Sequence, residues 1–320
     1  MDQALHDIPP SLLEEGTAML QALALDLSSS KEIAVGLILD PRMEDALASL
    51  PWVQTCSIPW QRAWIEFAQQ CDHVIVIAPE FDSILQGIVE TFRSQGISVL
   101  ASDPTFLKQS VDKWQTFEAW RRAGIETPPT CLAEQITSAN DLFQLGARSA
   151  NLCDGWTVKR RDGAGCWEQT RWLCDRALLV HLDSLEDRSS WIVQPWIQGT
   201  PASISWFFGS PSYPIGCCYQ EIRCEHGKVH YDGGRPMGGH QDIPQEIVTF
   251  SERAIQALDG KPSGWIGLDW IRSSSGKLVA VEINPRLTTS YLTLRGHRED
   301  PTTPWLQLAH STRNAIDRTA

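Results

Sequence analysis

The chain has 320 residues, 42% of them apolar and 21% charged, and a formal net charge of −12. This describes a globular chain of two or three compact units, disfavours nonspecific nucleic-acid binding, and offers no uninterrupted apolar run long enough to cross a bilayer. Nine cysteines without a C-x-x-C pair point to reduced thiols in a cytoplasm, and the acidic opening MDQALHDIPP lacks the basic region of a secretory signal.

In chain order, SLLEEGTAMLQALALDL carries apolar residues at helical spacing, with Ser11 placed to cap and Glu14 three residues on. EIAVGLILD reads as a buried strand, followed by a helix and loop to about residue 70. DHVIVIAP reads as a second buried strand, FDSILQGIVETFRSQG as an amphipathic helix ended at Gly96, and ISVLAS as a third strand. Strands alternating with helices imply a small parallel sheet covered on both faces. No G-x-G-x-x-G follows the first strand, so this unit is a scaffold beside a ligand cleft and not a dinucleotide fold. A new unit begins near Pro104. SVDKWQTFEAWRRAG predicts a helix with Asp112 near its start and Gly124 past its end, and IETPPT an extended connector. WTVKRRDGAGCWE predicts a short strand holding Lys159 and then a turn with Gly163 and Gly165. WIVQPWIQGTPASISWFFG predicts two strands around a loop, and YPIGCCYQEIRCEHGKVHYDGGRPMGG more strands with a flexible glycine-rich stretch. Helices are expected over PQEIVTFSERAIQAL and TPWLQLAHSTRNAI. Cys224, His226 and His230 are conceivable zinc ligands, but their spacing fits no common zinc module. The fold class expected is α/β, with an α+β character in the C-terminal part.

WIGLDWIR (265–272) and LVAVEIN (278–284) read as the two arms of a hairpin joined by SSSGK. Alternation puts Ala280, Glu282, Asn284 and Arg286 on one face and Val279, Val281 and Ile283 on the other. A two-residue turn at Ser275-Gly276 pairs Ser274 with Lys277, which places Asp269 opposite Glu282. Two carboxylates facing each other repel and destabilise a hairpin unless a cation lies between them. With Asn284 added, the hard oxygen donors suit Mg²⁺ or Mn²⁺ better than zinc. Lys159, at a strand end and followed by RRDGAG, supplies a point charge beside a turn whose N–H groups can curl around phosphate. Carboxylates for a metal and a Lys-plus-glycine loop are the two halves of a Mg–nucleotide site. Lys113 alone reads as a solvated surface charge.

In this order, Lys113 in DKW, Lys159 in VKRRDGAG, the VQPWIQG connector, Asp269, and EINPR with its acid thirteen residues upstream resemble the ATP-grasp superfamily from about Pro104 to the C-terminus. The preceding unit resembles that superfamily's pre-ATP-grasp domain. SLLEEGTAML together with EINPRLTTSY resembles a narrower group, the carboxylate–amine ligases linked to methanofuran- and methanopterin-type cofactors, tyramine–glutamate ligases among them. The resemblance implies a Rossmann-like pre-ATP-grasp domain over 1–103, a small lobe over 104–189, and a large lobe with the metal hairpin over 190–320. It implies that Lys113 and Lys159 contact the phosphates of ATP, that the loop Asp162, Gly163, Ala164, Gly165 closes over them, and that Gln194, Pro195, Trp196 and Ile197 form the hinge that reads adenine through the backbone. Asp269, Glu282 and Asn284 hold the magnesium ions, and Arg286 steadies the carboxylate or acyl phosphate. Trp156 and Trp196 are both expected beside the nucleotide.

The chain departs from the superfamily at several points. Many relatives have Lys-Pro where it has Lys159-Arg160, and several place an acid where it has Gln194. The ribose-binding acid falls near Pro201, with Ser203 as the substitute. Gly267 stands where D-alanine ligases carry an arginine, which leaves Arg286, Arg235 or Arg223 to stabilise charge. The function implied is an ATP-dependent ligase joining a small-molecule carboxylate, glutamate first among those to test, to an amine, without nucleic-acid or membrane partners and compatible with a homodimer. A small-molecule kinase and a non-catalytic ATP-binding sensor are the competing readings. HYDGGRPMGGH reads as a second lid or an acceptor-site loop, or equally as a surface hairpin with glycine turns.

Overall fold

A computed structural model describes residues 10–39, 53–55, 60–149, 153–238, 243–297 and 300–317. The first helix, α1 (Pro10–Ser28), buries Met19, Ala22, Leu23 and Ala24. Its first described residue is Pro10, so Ser11 lies inside the helix and not at a cap position before it. Proline is tolerated there because first-turn N–H groups have no intrahelical partner.

Strands β1 (Leu37–Leu39) and β2 (Val53–Thr55) pair in parallel, and α2 covers Trp60–Ala68. The runs expected as second and third strands meet in a single parallel bridge. Val74 N donates to Ser98 O at 2.8 Å, and Leu100 N donates to Val74 O at 2.8 Å. Their apolar side chains are nonetheless used: Val74, Val76, Ile97 and Val99 pack with Leu85, Val89 and Phe92 of α3 (Ile84–Ser94). The parallel topology is therefore present with less regular strand than the hydrophobic runs suggest. Burial rewards apolar side chains without requiring a full ladder.

A helix α4 (Pro104–Val111) precedes the one expected over SVDKWQTFEAWRRAG, which is α5 (Lys113–Ala123), capped by Asp112, which is extended and accepts from Trp114 N and Gln115 N. Gly124, at φ +66°, ends α5 in the left-handed conformation.

The rest of the chain alternates short helices with a large sheet. Its elements are β3 (Cys131–Leu132), α6 (Ala139–Ala147), β4 (Cys153–Arg160), β5 (Thr170–Trp172), α7 (Asp175–Asp183), β6 (Trp191–Ile197), β7 (Gly199–Phe208), β8 (Tyr213–Glu225), β9 (Lys228–Pro236), α8 (Gln245–Gln256), β10 (Gly264–Ser273), β11 (Leu278–Asn284), α9 (Ser290–Leu294) and α10 (Thr303–Asp317). The nine strands β3–β11 run in the order β11-β10-β7-β8-β9-β5-β4-β6-β3, every pair antiparallel. Strand β6, which a lobe division at residue 190 assigns to the large lobe, pairs with β4 and β3 at the small-lobe end. HYDGGRPMGGH is not a loop as far as it is described: β9 runs to Pro236, paired with β8, and residues 239 and 240 lie outside the described residues.

One face of the sheet is closed by helices. At one end, Trp120 of α5 and Ile247, Ala254 and Ile255 of α8 pack on Ile204, Ile266, Leu268 and Trp270. The Trp120 indole donates to Ala254 O at 2.8 Å, so its only polar group is satisfied in the core. At the other end, α6 and α7 pack on Trp156, Val158 and Val193. The opposite face is covered in part by α1, α9 and α10, which pack on Phe207, Ile215 and Trp265, and elsewhere carries the polar residues described next. No helix among the described residues is long and apolar enough to cross a membrane.

Candidate active site

The β10–β11 hairpin turns more widely than a two-residue loop. Ser273 N donates to Lys277 O at 2.9 Å, and Gly276 N to Ser273 O at 2.8 Å, with Gly276 at φ +85°. The loop is thus the three residues 274–276, a type in which glycine supplies the left-handed position. This shifts the register by one, so Arg272 faces Leu278 and Trp270 faces Ala280. A bulge at Val281 then restores it, and Asp269 faces Glu282. The expected pairing is correct through two compensating departures. The expected face is not. The bulge breaks the alternation, so Ala280 joins Ile283 in the core with Leu268, while Val281 turns to the cavity beside Glu282 and Asn284.

Asp269 is held by two amides. Gln220 Nε2 donates to its Oδ1 at 2.9 Å, and Asn284 Nδ2 to its Oδ2 at 3.2 Å. Burial, reinforced by the negative charge of Glu282, pushes its carboxyl up to about 7. Glu282 behaves oppositely. Burial alone would raise it, but the ammonium groups of Lys113 at 3.5 Å and Lys159 at 3.6 Å hold it below the usual range. Lys159 is itself buried, which pulls its pKa down against the attraction of Glu282. The carboxylate pair is thus half neutralised by lysines and half strained by like charge.

Lys113 is not a surface charge. It sits in the first turn of α5, its side chain is 9% exposed, and its Nζ donates to Gly163 O at 2.5 Å. Its backbone N donates to Arg161 O, and Arg161 forms a two-bond pair with the α5 cap Asp112. These bonds tie the glycine loop to the helix start. Asp162 faces away from the cavity: it accepts from Arg160 Nε at 3.1 Å and from the backbone N of Asp82 at 2.8 Å. Ala164 and Gly165 line the cavity. Gly165 is at φ +59°, a conformation that favours glycine, and a Cβ there would lie 2.8 Å from Leu12 Cδ2 of α1, so a larger residue would also push the leucine tip aside.

The cavity has a volume of about 500 Å³ and gathers Lys159, Gln194, Pro195, Trp196, Ile197, Ser203, Asp269, Glu282, Asn284 and Arg286 along its walls. Gln194 is buried, and its amide donates to Thr130 Oγ1 at 2.9 Å. The Trp196 ring carries the Arg171 guanidinium 4.7 Å from its centroid. Ser203 lies directly across from Asp269 in the β7–β10 register. Trp156 does not belong here: it points to the other face of β4, packs among α6 and α7, and donates to Asp175 Oδ1 at 2.8 Å.

Arg286 enters the cavity from the loop after β11. It donates to Glu80 Oε2 at 2.8 Å and to Leu287 O at 3.1 Å, leaving Arg286 Nε and Glu80 Oε1 without hydrogen-bond partners. Among the described residues it is the one arginine lining the cavity. Arg223 is spent on Asp232 and Glu225, and Arg235 stacks on Tyr219 at 4.4 Å.

Three contributors escape sequence reasoning: Gln220, Glu80, and Tyr231, whose hydroxyl accepts from Thr289 Oγ1 at 3.2 Å. Only Glu80 carries a signal, an acid directly after the buried-looking run DHVIVIAP.

Comparison with known proteins adds to this geometry. A family model described as an ATP-grasp domain matches residues 110–290, and one described as a pre ATP-grasp 3 domain matches residues 33–105. The chain is 24% identical over 233 residues to a tyramine–L-glutamate ligase of Methanocaldococcus fervens, covering 73% of this chain and 64% of that one, so it spans under two thirds of the relative's length. Among solved structures, an ATP-grasp superfamily protein of Archaeoglobus fulgidus superposes with a TM-score of 0.62 at 21% identity, over 89% of this chain and 79% of the other. A D-alanine–D-alanine ligase of Bacillus anthracis, complexed with ATP, superposes with a TM-score of 0.60 at 17% identity, over 84% and 88%.

Proposed function

Since the chain belongs to the ATP-grasp family, we propose that it is an ATP-dependent ligase that joins a carboxylate to an amine. The observation that carries this reading is one cavity whose walls hold Lys159, Asp269 and Glu282 together with Arg286. Phosphate chemistry and carboxylate recognition then share a single space.

In this reading Lys113 and Lys159 neutralise the phosphates of ATP, and residues 162–165 form the cover. The strand 194–197 reads adenine through its backbone, with Trp196 and Ile197 as donors because Pro195 has no N–H, and Ser203 meets the ribose. The donor set of Asp269, Glu282 and Asn284 offers oxygen from each side chain, and a divalent cation would offset both the burial and the facing Glu282 charge that raise the Asp269 carboxyl. These residues would hold Mg²⁺, or Mn²⁺, whose chemistry is to neutralise phosphate charge. Arg286, anchored on Glu80, orients the substrate carboxylate with its planar fork. The carboxylate oxygen attacks the γ-phosphorus and ADP leaves. The amine nitrogen then attacks the acyl carbon, phosphate departs, and loss of a proton leaves the amide. The chain contributes positioning and charge neutralisation.

The named relative makes glutamate and tyramine the first substrates to try. Residues 1–103 serve as the substrate-side scaffold, with lobes 104–189 and 190–320 meeting over the cavity. A cytoplasmic setting suits its thiols, and seven of the described cysteines, among them Cys166, Cys217 and Cys218, are free. With Mg–ATP and glutamate, ADP release should rise when tyramine is added, and hydroxylamine should trap a hydroxamate. A stable phosphorylated product that needs no amine would replace the ligase reading by the kinase one.

Trp196 offers a binding signal that needs no turnover. Mg–ATP should change tryptophan fluorescence saturably, and Trp196→Phe should lose much of the change while calorimetry shows nucleotide affinity within about threefold of wild type, a difference below 1 kcal/mol. An undiminished signal in the variant would move the adenine away from β6.

A further inference from the structure

We propose that Glu15, on the cavity face of α1, binds the ammonium group of the amine substrate. This deepens the ligase reading and rests on it.

Helix α1 forms one wall of the cavity through Leu12, Glu15, Gly16 and Met19. Of the charged groups on the walls, Lys159 lies 3.6 Å from Glu282, Arg286 is bonded to Glu80, and Asp269 accepts from Gln220 and Asn284. Glu15 has no hydrogen bond or ion pair to any described residue, although it lies within the electrostatic reach of Arg286. Of the carboxylates that act on Arg286, Glu282 is balanced by Lys113 and Lys159, which leaves one arginine against two carboxylates, Glu80 and Glu15, so a cation is lacking. Glu80 is 3% exposed and already engaged; Glu15 is half-buried and faces the open space.

The surroundings specify what carries the cation. Ile77, Ile84 and Ile88 from the N-terminal unit, with Trp64, make the neighbouring wall apolar. Water there solvates a carboxylate poorly, so an ammonium on a compact apolar body gains both a charge-assisted bond and burial. Gly16 provides the room: a Cβ at that position would meet nothing within 4 Å. A glycine in mid-helix is unfavourable relative to alanine, and here it leaves cavity space beside Glu15. The position within reach of Arg286 is also the chemically required one: the ammonium gives up a proton, which the Glu15 carboxylate accepts, and the neutral nitrogen then attacks the acyl carbon that Arg286 holds.

The test compares full-length wild type with Glu15→Gln and Gly16→Ala. In turnover with Mg–ATP and glutamate, Glu15→Gln should raise the KM for tyramine about tenfold, the worth of one charge-assisted hydrogen bond, while the KM for glutamate moves much less. Gly16→Ala should raise the tyramine KM and spare that of ethylamine, with no fall in melting temperature. Calorimetry of phenethylamine in the absence of ATP gives a readout independent of ligation, in which Glu15→Gln should weaken binding by a similar factor. Phenethylamine binding that Glu15→Gln weakens, in a wild type that forms no amide, supports the Glu15 site and overturns only the ligase reading. Equal phenethylamine affinity in wild type and variant, no measurable binding to wild type, or a rise confined to the glutamate KM would overturn the assignment, the last making Glu15 a second counter-ion of Arg286.

Discussion

Glu282→Gln is expected to fold and to lose turnover by roughly a thousandfold or more, the scale seen when a charge stabilising a transition state is removed. Glutamine keeps the shape and one acceptor oxygen, but it withdraws the negative charge that faces Asp269 and balances Lys113 and Lys159. Two lysines, 9% and 5% exposed, are then left without their carboxylate. The variant without nucleotide should therefore be less stable by about 1–3 kcal/mol, and ATP without divalent cation should restore much of that by supplying phosphate in place of the carboxylate.

The pH dependence gives a second signature. Asp269 is raised by burial and by Glu282 from its ordinary value of 3.8 to about 7, so the folded wild type holds this proton more tightly than the unfolded chain does. Stability therefore falls as pH rises from about 4 to about 7, where ionised Asp269 is disfavoured only in the folded state. Glu282, held below its ordinary value, acts in the opposite sense: its contribution is present above the unfolded value of 4.5 and is lost as pH falls through the lower folded one. Removing Glu282 should lower the Asp269 pKa and flatten the decline toward neutral pH in cation-free melting. Near wild-type turnover at saturating Mg²⁺, or an unchanged melting profile, would show that the hairpin carboxylates are not the metal-and-phosphate wall.

Arg286→Lys is expected to raise the KM for the carboxylate roughly ten- to a hundredfold, the worth of one or two charge-assisted hydrogen bonds, and to leave nucleotide affinity nearly unchanged. Lysine keeps the charge and loses the fork that can hold Glu80 and a substrate carboxylate together. The partner variant Glu80→Gln should cost more in stability than in chemistry, about 3–5 kcal/mol, because it strands a mostly buried guanidinium. If Arg286→Lys weakens ATP binding and leaves the carboxylate KM alone, the guanidinium belongs to the nucleotide half of the cavity.

The chain's local chemistry made much of this legible in advance. Alternation along WIGLDWIR and LVAVEIN, a glycine in the connecting turn, and acids at matching distances pointed to Asp269 against Glu282, a pairing that the wider turn and the bulge together preserve. Asp112 and Gly124 marked the ends of α5 because capping is a matter of a few consecutive residues. Lys159 followed by glycines was readable for the same reason. What failed locally did so where a neighbour intervened: the bulge at Val281 removed Ala280 from the polar face, and the other side of β4 carried Trp156 into a helix-covered core.

The sequence by itself determined the hairpin, the caps, the strand holding Lys159 and the order of elements, since each depends on residues within a turn or a strand of one another. Only the tertiary structure decided that Lys113 pairs with Glu282, that Glu80 anchors Arg286 from 206 residues away, that Gln220 supports Asp269, and that α1 brings Glu15 to the cavity wall. These are long-range pairings between charges or amides that look like ordinary surface residues in a linear reading. Burial makes such groups costly unless something opposite answers them, and which group answers is settled by how the sheet, α1 and the N-terminal unit close around one cavity.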